Sequence, residues 1–400
     1  MIFFVLIAFV LALFLPDMYI YCVYLRRTAT VWQVLHWAPA VLMAASLVYI
    51  LVTLRRGGVV NMQMGAVLLA AMLCFGLPKL VFTLCSLLGR AGAWLWPQAT
   101  GVLQLVGVSL GVWVALVMAY GLTIGWREVA VKHVDLCFDN LPEAFDGYKI
   151  AQLSDLHVGT YLHAPDVLNK IVDGTNAERP DLIVFTGDIV NTSADELPPV
   201  METLSRLHAP DGVLSVLGNH DYCMPGRDSV GSHIGQMDVI MDEMQMGWRV
   251  LLNDHHVIHR GADSIAIIGV QNTGKPPFPQ VGDLRKAMQG VASYDGQQSP
   301  DMFAVLLSHD PSHWRMEVLP KTTIPLTLSG HTHAGQLKIG SWSLSQYQYP
   351  EWGGLYEEST ASNAPQASPR YLYVSEGTGG SFPFRLGTRP EIVIITLHRK

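Results

Sequence analysis

Five short polar clusters in the second half of the chain could do chemistry together. They are Asp155-Leu156-His157, Gly187-Asp188, Gly218-Asn219-His220-Asp221, Ser308-His309-Asp310 and Gly330-His331-Thr332-His333. Neutral imidazole, carboxylate and amide oxygen together suit borderline divalent ions such as Mn²⁺, Fe²⁺ or Zn²⁺. None of the clusters contains cysteine, which argues against a structural zinc site. Five of the 15 histidines fall in these clusters. So many polar groups brought together without a cation would incur a large desolvation cost.

Each cluster directly follows an apolar run that reads as a strand: residues 149–153, 182–186, 213–217, 303–307 and 326–329. Further strand candidates are 264–270, 371–374 and 391–397, and residues 127–138 alternate as a strand would. Helical patterns cover 165–176, 194–207, 237–246 and 313–318. Strands alternating with helices predict a layered α/β domain. In open α/β sheets, ligands bind at the carboxyl ends of strands. Residues 358–369, rich in Ser, Ala, Asn and Pro, read as a flexible loop.

The ordered series Asp155-x-His157, Gly187-Asp188, Gly218-Asn219-His220-Asp221, His309 and Gly330-His331-x-His333 resembles the calcineurin-like metallophosphoesterases. The tail from Tyr373 to Gly379, with Phe384-Arg385-Leu386-Gly387 and Arg389-Pro390-Glu391-Ile392, looks like a bacterial membrane-associated branch of that family. The resemblance implies a four-layer α-β-β-α sandwich over residues 126–400. It implies one metal held by Asp155, His157, Asp188 and His333, and a second by Asp188, Asn219, His309 and His331, with Asp188 bridging. Two cations about 3.5–4 Å apart can clamp attacking and leaving oxygens, and a hydroxide shared between them is a strong nucleophile at neutral pH. His220 is then the residue that protonates the leaving alkoxide or stabilises the phosphoryl oxygens. The family pattern orients this histidine with a carboxylate where this chain has Asn191. The Asn191 amide can accept the imidazole hydrogen bond without supplying charge; Asp221 either compensates or holds the loop. Arg385 and Arg389 are candidates for binding a non-reacting phosphate or carboxylate. Residues 342–356 hold two Trp and three Tyr, which read as core packing or as a lid touching a membrane or an acyl chain.

The first third of the chain is of another kind. Apolar runs at 2–25, 36–54, 65–88 and 103–124 are each long enough to cross a bilayer. Arginines punctuate the links, and Trp32, Trp37, Trp94, Trp96 and Trp126 lie near the run ends, as interfacial aromatics do. Residues 1–125 therefore form a membrane domain of about four transmembrane helices. They hold six basic residues and one acid, Asp17, against 20 basic and 32 acidic residues in 126–400. That charge distribution argues against a nucleic-acid binder. The first run lacks a basic n-region and a clear cleavage site. Lys79 lies inside the third run, and snorkelling toward an interface is the preferred account of it. Four spans place Arg55, Arg56, Arg127 and Lys132 on one side and Arg26, Arg27 and Arg90 on the other, which favours a cytoplasmic C-terminal domain. The expected setting is a bacterial inner membrane. Outside the runs only Cys137 and Cys223 remain, with nothing to mark a disulfide.

The leading reading is a membrane-anchored phosphodiesterase or pyrophosphatase acting on a lipid-linked or membrane-proximal substrate, with the bilayer as its partner. Alternatives are a pyrophosphatase of UDP-diacylglucosamine type in lipid A synthesis, a non-catalytic membrane sensor, and a transporter regulated by the domain.

Overall fold

The computed structural model describes residues 14–55, 62–223, 229–276, 278–296, 302–358 and 369–400. Half of the first apolar run, part of the Arg55/Arg56 link and most of the 358–369 loop lie outside them. The chain divides into two compact units, Met1–Ile124 and Gly125–Lys400.

In the first unit, Thr30–Thr53, Leu68–Gly92 and Ala99–Arg127 are helices long and apolar enough to span a membrane. The described part of the first run, Phe14–Leu25, is a shorter apolar helix. Small residues let the last two long helices approach closely. A Cβ on Gly107 would lie 2.8 Å from Cys85 Cβ, and one on Gly111 would lie 3.2 Å from the Pro78 carbonyl. Such small-residue contacts replace hydrophobic exclusion inside lipid. Lys79 does not snorkel. Its Nζ lies 2.5 Å from Asp17 Oδ1 and donates to the His36 carbonyl at 3.0 Å. Asp17 is fully buried, so pairing, not escape to an interface, answers the charge.

Among its described residues the second unit contains 14 strands. In chain order, β1 to β7 are Ala130–Phe138, Tyr148–Leu153, Leu182–Phe185, Val213–Ser215, Arg249–Val250, Asp254–Arg260 and Asp263–Gly269. β8 to β14 are Phe303–Leu307, Leu326–Ser329, Lys338–Ile339, Trp342–Ser343, Gly354–Glu358, Arg370–Val374 and Glu391–Arg399. Two six-stranded mixed sheets form, in the orders β1-β14-β2-β3-β4-β5 and β12-β13-β9-β8-β7-β6. β10 and β11 make a separate hairpin.

The central strands read as continuous apolar runs because both of their faces are buried. Ile150, Val184, Val305 and Leu328 fill the layer between the sheets. Ala151, Ile183 and Phe185 face the other way, toward the helix Pro165–Ala177. Ala304 and Leu306 face an outer layer with Leu284 and Trp314. The result is helix, sheet, sheet, helix, the four-layer α/β arrangement expected. The ends of the two sheets are tied by Gln152 Nε2, which donates to the Ser329 carbonyl at 2.9 Å.

Three local expectations need correction. Residues 194–207 are not one helix but two 3₁₀ turns, Ala194–Glu196 and Pro198–Val200, followed by Met201–Leu204. Pro198 and Pro199 cannot donate the hydrogen bonds a continuous helix needs. Residues 125–127 are a 3₁₀ turn, so the first strand starts later, at Ala130. The edge strands β6 and β12 escaped notice because their half-exposed faces carry His, Asp and Glu.

Replacing one member of the buried ion pair strands the other. Asp17→Asn or Lys79→Met alone is expected to cost about 3–5 kcal/mol. Thermal denaturation of the detergent-solubilised chain should show both midpoints lowered and the double variant partly restored; fully additive losses would contradict the pairing.

Candidate metal centre

Every cluster sits where a strand stops. β2 runs into Ser154–His157, β3 into Thr186–Asp188, and β4 into the Gly218–Asp221 turn. From the second sheet, β8 runs into Ser308–Asp310 and β9 into Gly330–His333. Sharp reversals follow at once: Asp155, His157, Asp188, His331 and His333 all have positive φ, between 49° and 73°. Non-glycine residues there cost of order 1–3 kcal/mol each and concentrate at functional sites. Two glycines make room for the convergence. A Cβ on Gly218 would lie 2.3 Å from Asp188 Oδ1, and one on Gly330 would lie 2.1 Å from Asp155 Oδ2.

The structure brings the sequence-selected side chains into two overlapping donor groups. Asp155, His157, Asp188 and His333 form one; Asp188, His309 and His331 form the other. Within each group the ligand atoms lie within 4.8 Å of one another. Asn219 Oδ1 is 3.2 Å from His309 Nε2 and so joins the second group. Asp188 Oδ2 lies 3.2 Å from His309 Nε2 and 3.8 Å from His157 Nε2. His157 Nε2 faces His333 Nε2 at 3.2 Å, and His309 Nε2 faces His331 Nδ1 at 3.2 Å. One proton can serve only one nitrogen of each pair, so converging imidazole lone pairs fit cations better than they fit one another.

Burial sets the protonation of the cluster. It pulls His157 down to about 3 and His331 to about 4, and holds His333 well below its usual range. These rings are therefore neutral and ready to ligate. Burial also pushes the Asp155 carboxyl up to about 6. Asp188 behaves oppositely. Burial works against its charge, but the His309 and His220 rings hold it well below the usual carboxylate range. Burial likewise opposes the charge on His309, yet the Asp188 carboxylate raises it to about 10. Without a cation, a proton on His309 offsets the buried Asp188.

The surrounding contacts orient the rings. His309 Nδ1 lies 2.8 Å from the Thr186 carbonyl, directing Nε2 into the centre. His331 Nε2 lies 2.7 Å from the Tyr349 hydroxyl, directing Nδ1 inward. Such partners of ligand histidines tune affinity as well as position. Tyr349 was missed as an individual residue; only its place in the aromatic stretch 342–356 hinted at it.

His220 borders a cleft of about 260 Å³ lined also by Asp188, Asn219, Phe278, His331, His333 and Tyr349. Its Nδ1 lies 2.5 Å from the Asn191 main-chain carbonyl. This corrects the expectation for Asn191: its backbone, not its amide, orients the ring. The amide Nδ2 donates instead to Thr160 Oγ1 and the Ser381 carbonyl. Asp221 holds the loops. Fully buried, it accepts from the backbone N–H groups of Asp188, Ile189 and Gly218 at 2.7–2.8 Å.

The two arginines have other partners within the protein. Arg385 is buried and donates to the carbonyls of Glu376, Gly377, Gly379 and Arg389 and to Thr388 Oγ1, so it braces the 376–389 loops. Arg389 pairs with Glu128 at 3.3 Å. Tail arginines look like anion binders in sequence because nothing there shows which carbonyls surround them.

Residues 148–335 match the family described as Calcineurin-like phosphoesterase. Residues 1–126 match the family described as Probable Calcineurin-like phosphoesterase, transmembrane domain. The chain is 31% identical over 268 residues to the uncharacterized metallophosphoesterase YkuE of Bacillus subtilis, covering 64% of this chain and 81% of that protein. It is 29% identical over 290 residues to the transmembrane protein with metallophosphoesterase domain of Danio rerio, covering 71% of this chain and 60% of the other. The Bos taurus protein of the same description is 30% identical over 303 residues, covering 72% of this chain and 62% of the other. The chain thus spans about three fifths of those two vertebrate proteins.

Cation binding must displace the proton from His309. Below about 10 the ring holds its proton in the metal-free state, so binding releases it and affinity rises with pH. Protonation of Asp155 below about 6 steepens the loss on the acid side. Mn²⁺ titration calorimetry in buffers of different ionisation enthalpy should detect proton release at pH 7. Affinity should rise by about tenfold per unit increase in pH for each proton released. A pH-independent affinity would contradict this electrostatic arrangement.

Proposed function

Since the chain belongs to the calcineurin-like phosphoesterases, we propose that it is a membrane-anchored hydrolase of phosphodiester or pyrophosphate bonds. It uses two divalent cations of the Mn, Fe or Zn class. Its substrate is lipid-linked or held at the membrane surface. The observation that carries the reading is Asp188, whose carboxylate belongs to both donor groups. Asp155, His157, Asp188 and His333 would hold one cation, and Asp188, Asn219, His309 and His331 the other. Bound there, two cations would supply Lewis-acid activation of water and of a phosphoryl oxygen.

The chain's own residues have separate tasks. Asp188 accepts the His220 backbone N–H on Oδ1 at 2.8 Å, which leaves Oδ2 turned to the histidines. With Nδ1–H donated to the Asn191 carbonyl, the His220 ring is fixed in orientation and tautomer. Its Nε2 is then the atom that carries a proton to the leaving oxygen. Phe278 and Tyr349 give the cleft an apolar wall. The membrane spans support a membrane substrate, since tethering raises local concentration. The basic residues flanking them support a cytoplasmic site at a bacterial inner membrane.

The test is hydrolysis of bis(p-nitrophenyl) phosphate by the full chain in detergent, stripped of metal and then resupplied with Mn²⁺. Turnover should require Mn²⁺ and vanish in Asp188→Ala. His220→Ala should bind Mn²⁺ normally yet lose about 10²–10⁴-fold in kcat, the usual worth of a general acid. Full turnover in Asp188→Ala would overturn the reading.

A further inference from the structure

The segment that carries Tyr349 into the cleft has a second, outward face. β10 and β11 pair across a tight turn at Gly340, setting Ile339 opposite Trp342. A 3₁₀ helix, Leu344–Tyr347, follows. Tyr349 is buried against His331, and Ser345 and Gln348 line the cleft. Ile339, Leu344 and Tyr347 are instead 66%, 58% and 75% exposed. From Ile339 to Pro350 there is no charged side chain, in a region that is otherwise strongly acidic. With the half-buried Trp342, whose Nε1 donates to the Tyr347 hydroxyl at 3.4 Å, this uncharged group of aliphatic, Trp and Tyr side chains has the composition of a membrane–water interface.

The sheet register says which end of this unit the chain enters. β1 runs parallel to β14, with Ala130 opposite Glu391. β14 runs antiparallel to β2, with Val393 opposite Gln152 and Leu397 opposite Tyr148. The start of β1 therefore lies at the end where β2 stops and the donor groups begin. Trp126 agrees: its ring is 6.0 Å from that of Tyr161, four residues past His157. The helix Ala99–Thr123 ends only six residues before β1. The chain thus enters this unit at its cleft end.

We propose that Ile339, Trp342, Leu344 and Tyr347 form a bilayer-contact surface at the mouth of the cleft, seated at the boundary between headgroups and acyl chains. The cleft then opens onto the lipid surface and receives the phosphoester of a lipid headgroup; this last clause rests on the phosphoesterase reading above, whereas the contact itself does not.

The contact is read by placing a fluorescent probe on single cysteines. Leu344→Cys and Tyr347→Cys are introduced in a full chain whose five native cysteines are replaced, with Glu143→Cys as control. Glu143 precedes β2, at the far end of the sheet, with its side chain 89% exposed. The labelled chains are reconstituted in phosphatidylethanolamine–phosphatidylglycerol vesicles with or without brominated acyl chains. Positions 344 and 347 should be quenched by brominated lipid several-fold more than position 143, and should resist aqueous iodide. Iodide quenching equal to that at 143, without quenching by brominated lipid, would overturn the proposal. Protection from both quenchers would place protein, such as a second copy, over the hairpin and would also overturn it. Hydrolysis of bis(p-nitrophenyl) phosphate by the same samples shows that they are folded. Lipid quenching without any Mn²⁺-dependent hydrolysis, including in the unaltered chain, would uphold the contact and remove the phosphoesterase reading.

Discussion

The carboxylate of Asp188 is held ionised although it is almost entirely buried. A buried carboxylate survives only if positive charge or donated hydrogen bonds surround it. Here the His220 backbone N–H takes one oxygen, and His309 and His157 converge on the other. Two sheets must end side by side to deliver those groups, because His157 follows β2 while His309 follows β8. The chain around the cluster is bent to suit it. Five donor residues take left-handed backbone conformations, and Gly218 and Gly330 leave no volume for a side chain. The well-filled apolar layers on both sides of each sheet hold that strain in place.

How much of this could be read from residues alone depends on distance along the chain. Strand-then-polar patterns are local, so the five clusters and the layered α/β domain were legible. The apolar runs of the first unit were equally plain, since their length and composition carry the signal. What failed was long-range. Asn191 was chosen for its side chain, but its carbonyl meets His220 while its amide turns to Ser381, 190 residues away. Arg385 has the formal charge of an anion binder, and only the folded loop shows its guanidinium filled by carbonyls. Lys79 seemed isolated because Asp17 is 62 positions distant. Tyr349 gave no individual signal, since its role exists only beside His331.

Several buried polar groups of the first unit meet the same constraint in a different solvent. Where water is absent, a polar atom needs a protein partner. Besides the Asp17–Lys79 pair, Tyr19 and Tyr24 both meet Ser86 Oγ, and Gln104 donates to the Tyr24 hydroxyl at 2.8 Å. These contacts fix which helix faces meet, while Gly107 and Gly111 fix how closely. The metal centre uses buried charge to position donors; the membrane unit uses it to register helices.

The place of β14 bears on how the protein is made. This strand, the last of those described, lies between β1 and β2 and hydrogen-bonds to both. Among the described strands β1 comes first in the chain, and its sheet neighbour β14 is complete only once residues 391–399 have left the ribosome. The apolar helices by then have long been available to the membrane. Synthesis is therefore ordered: the apolar helices emerge early, whereas closure of the first sheet waits for residues 391–399.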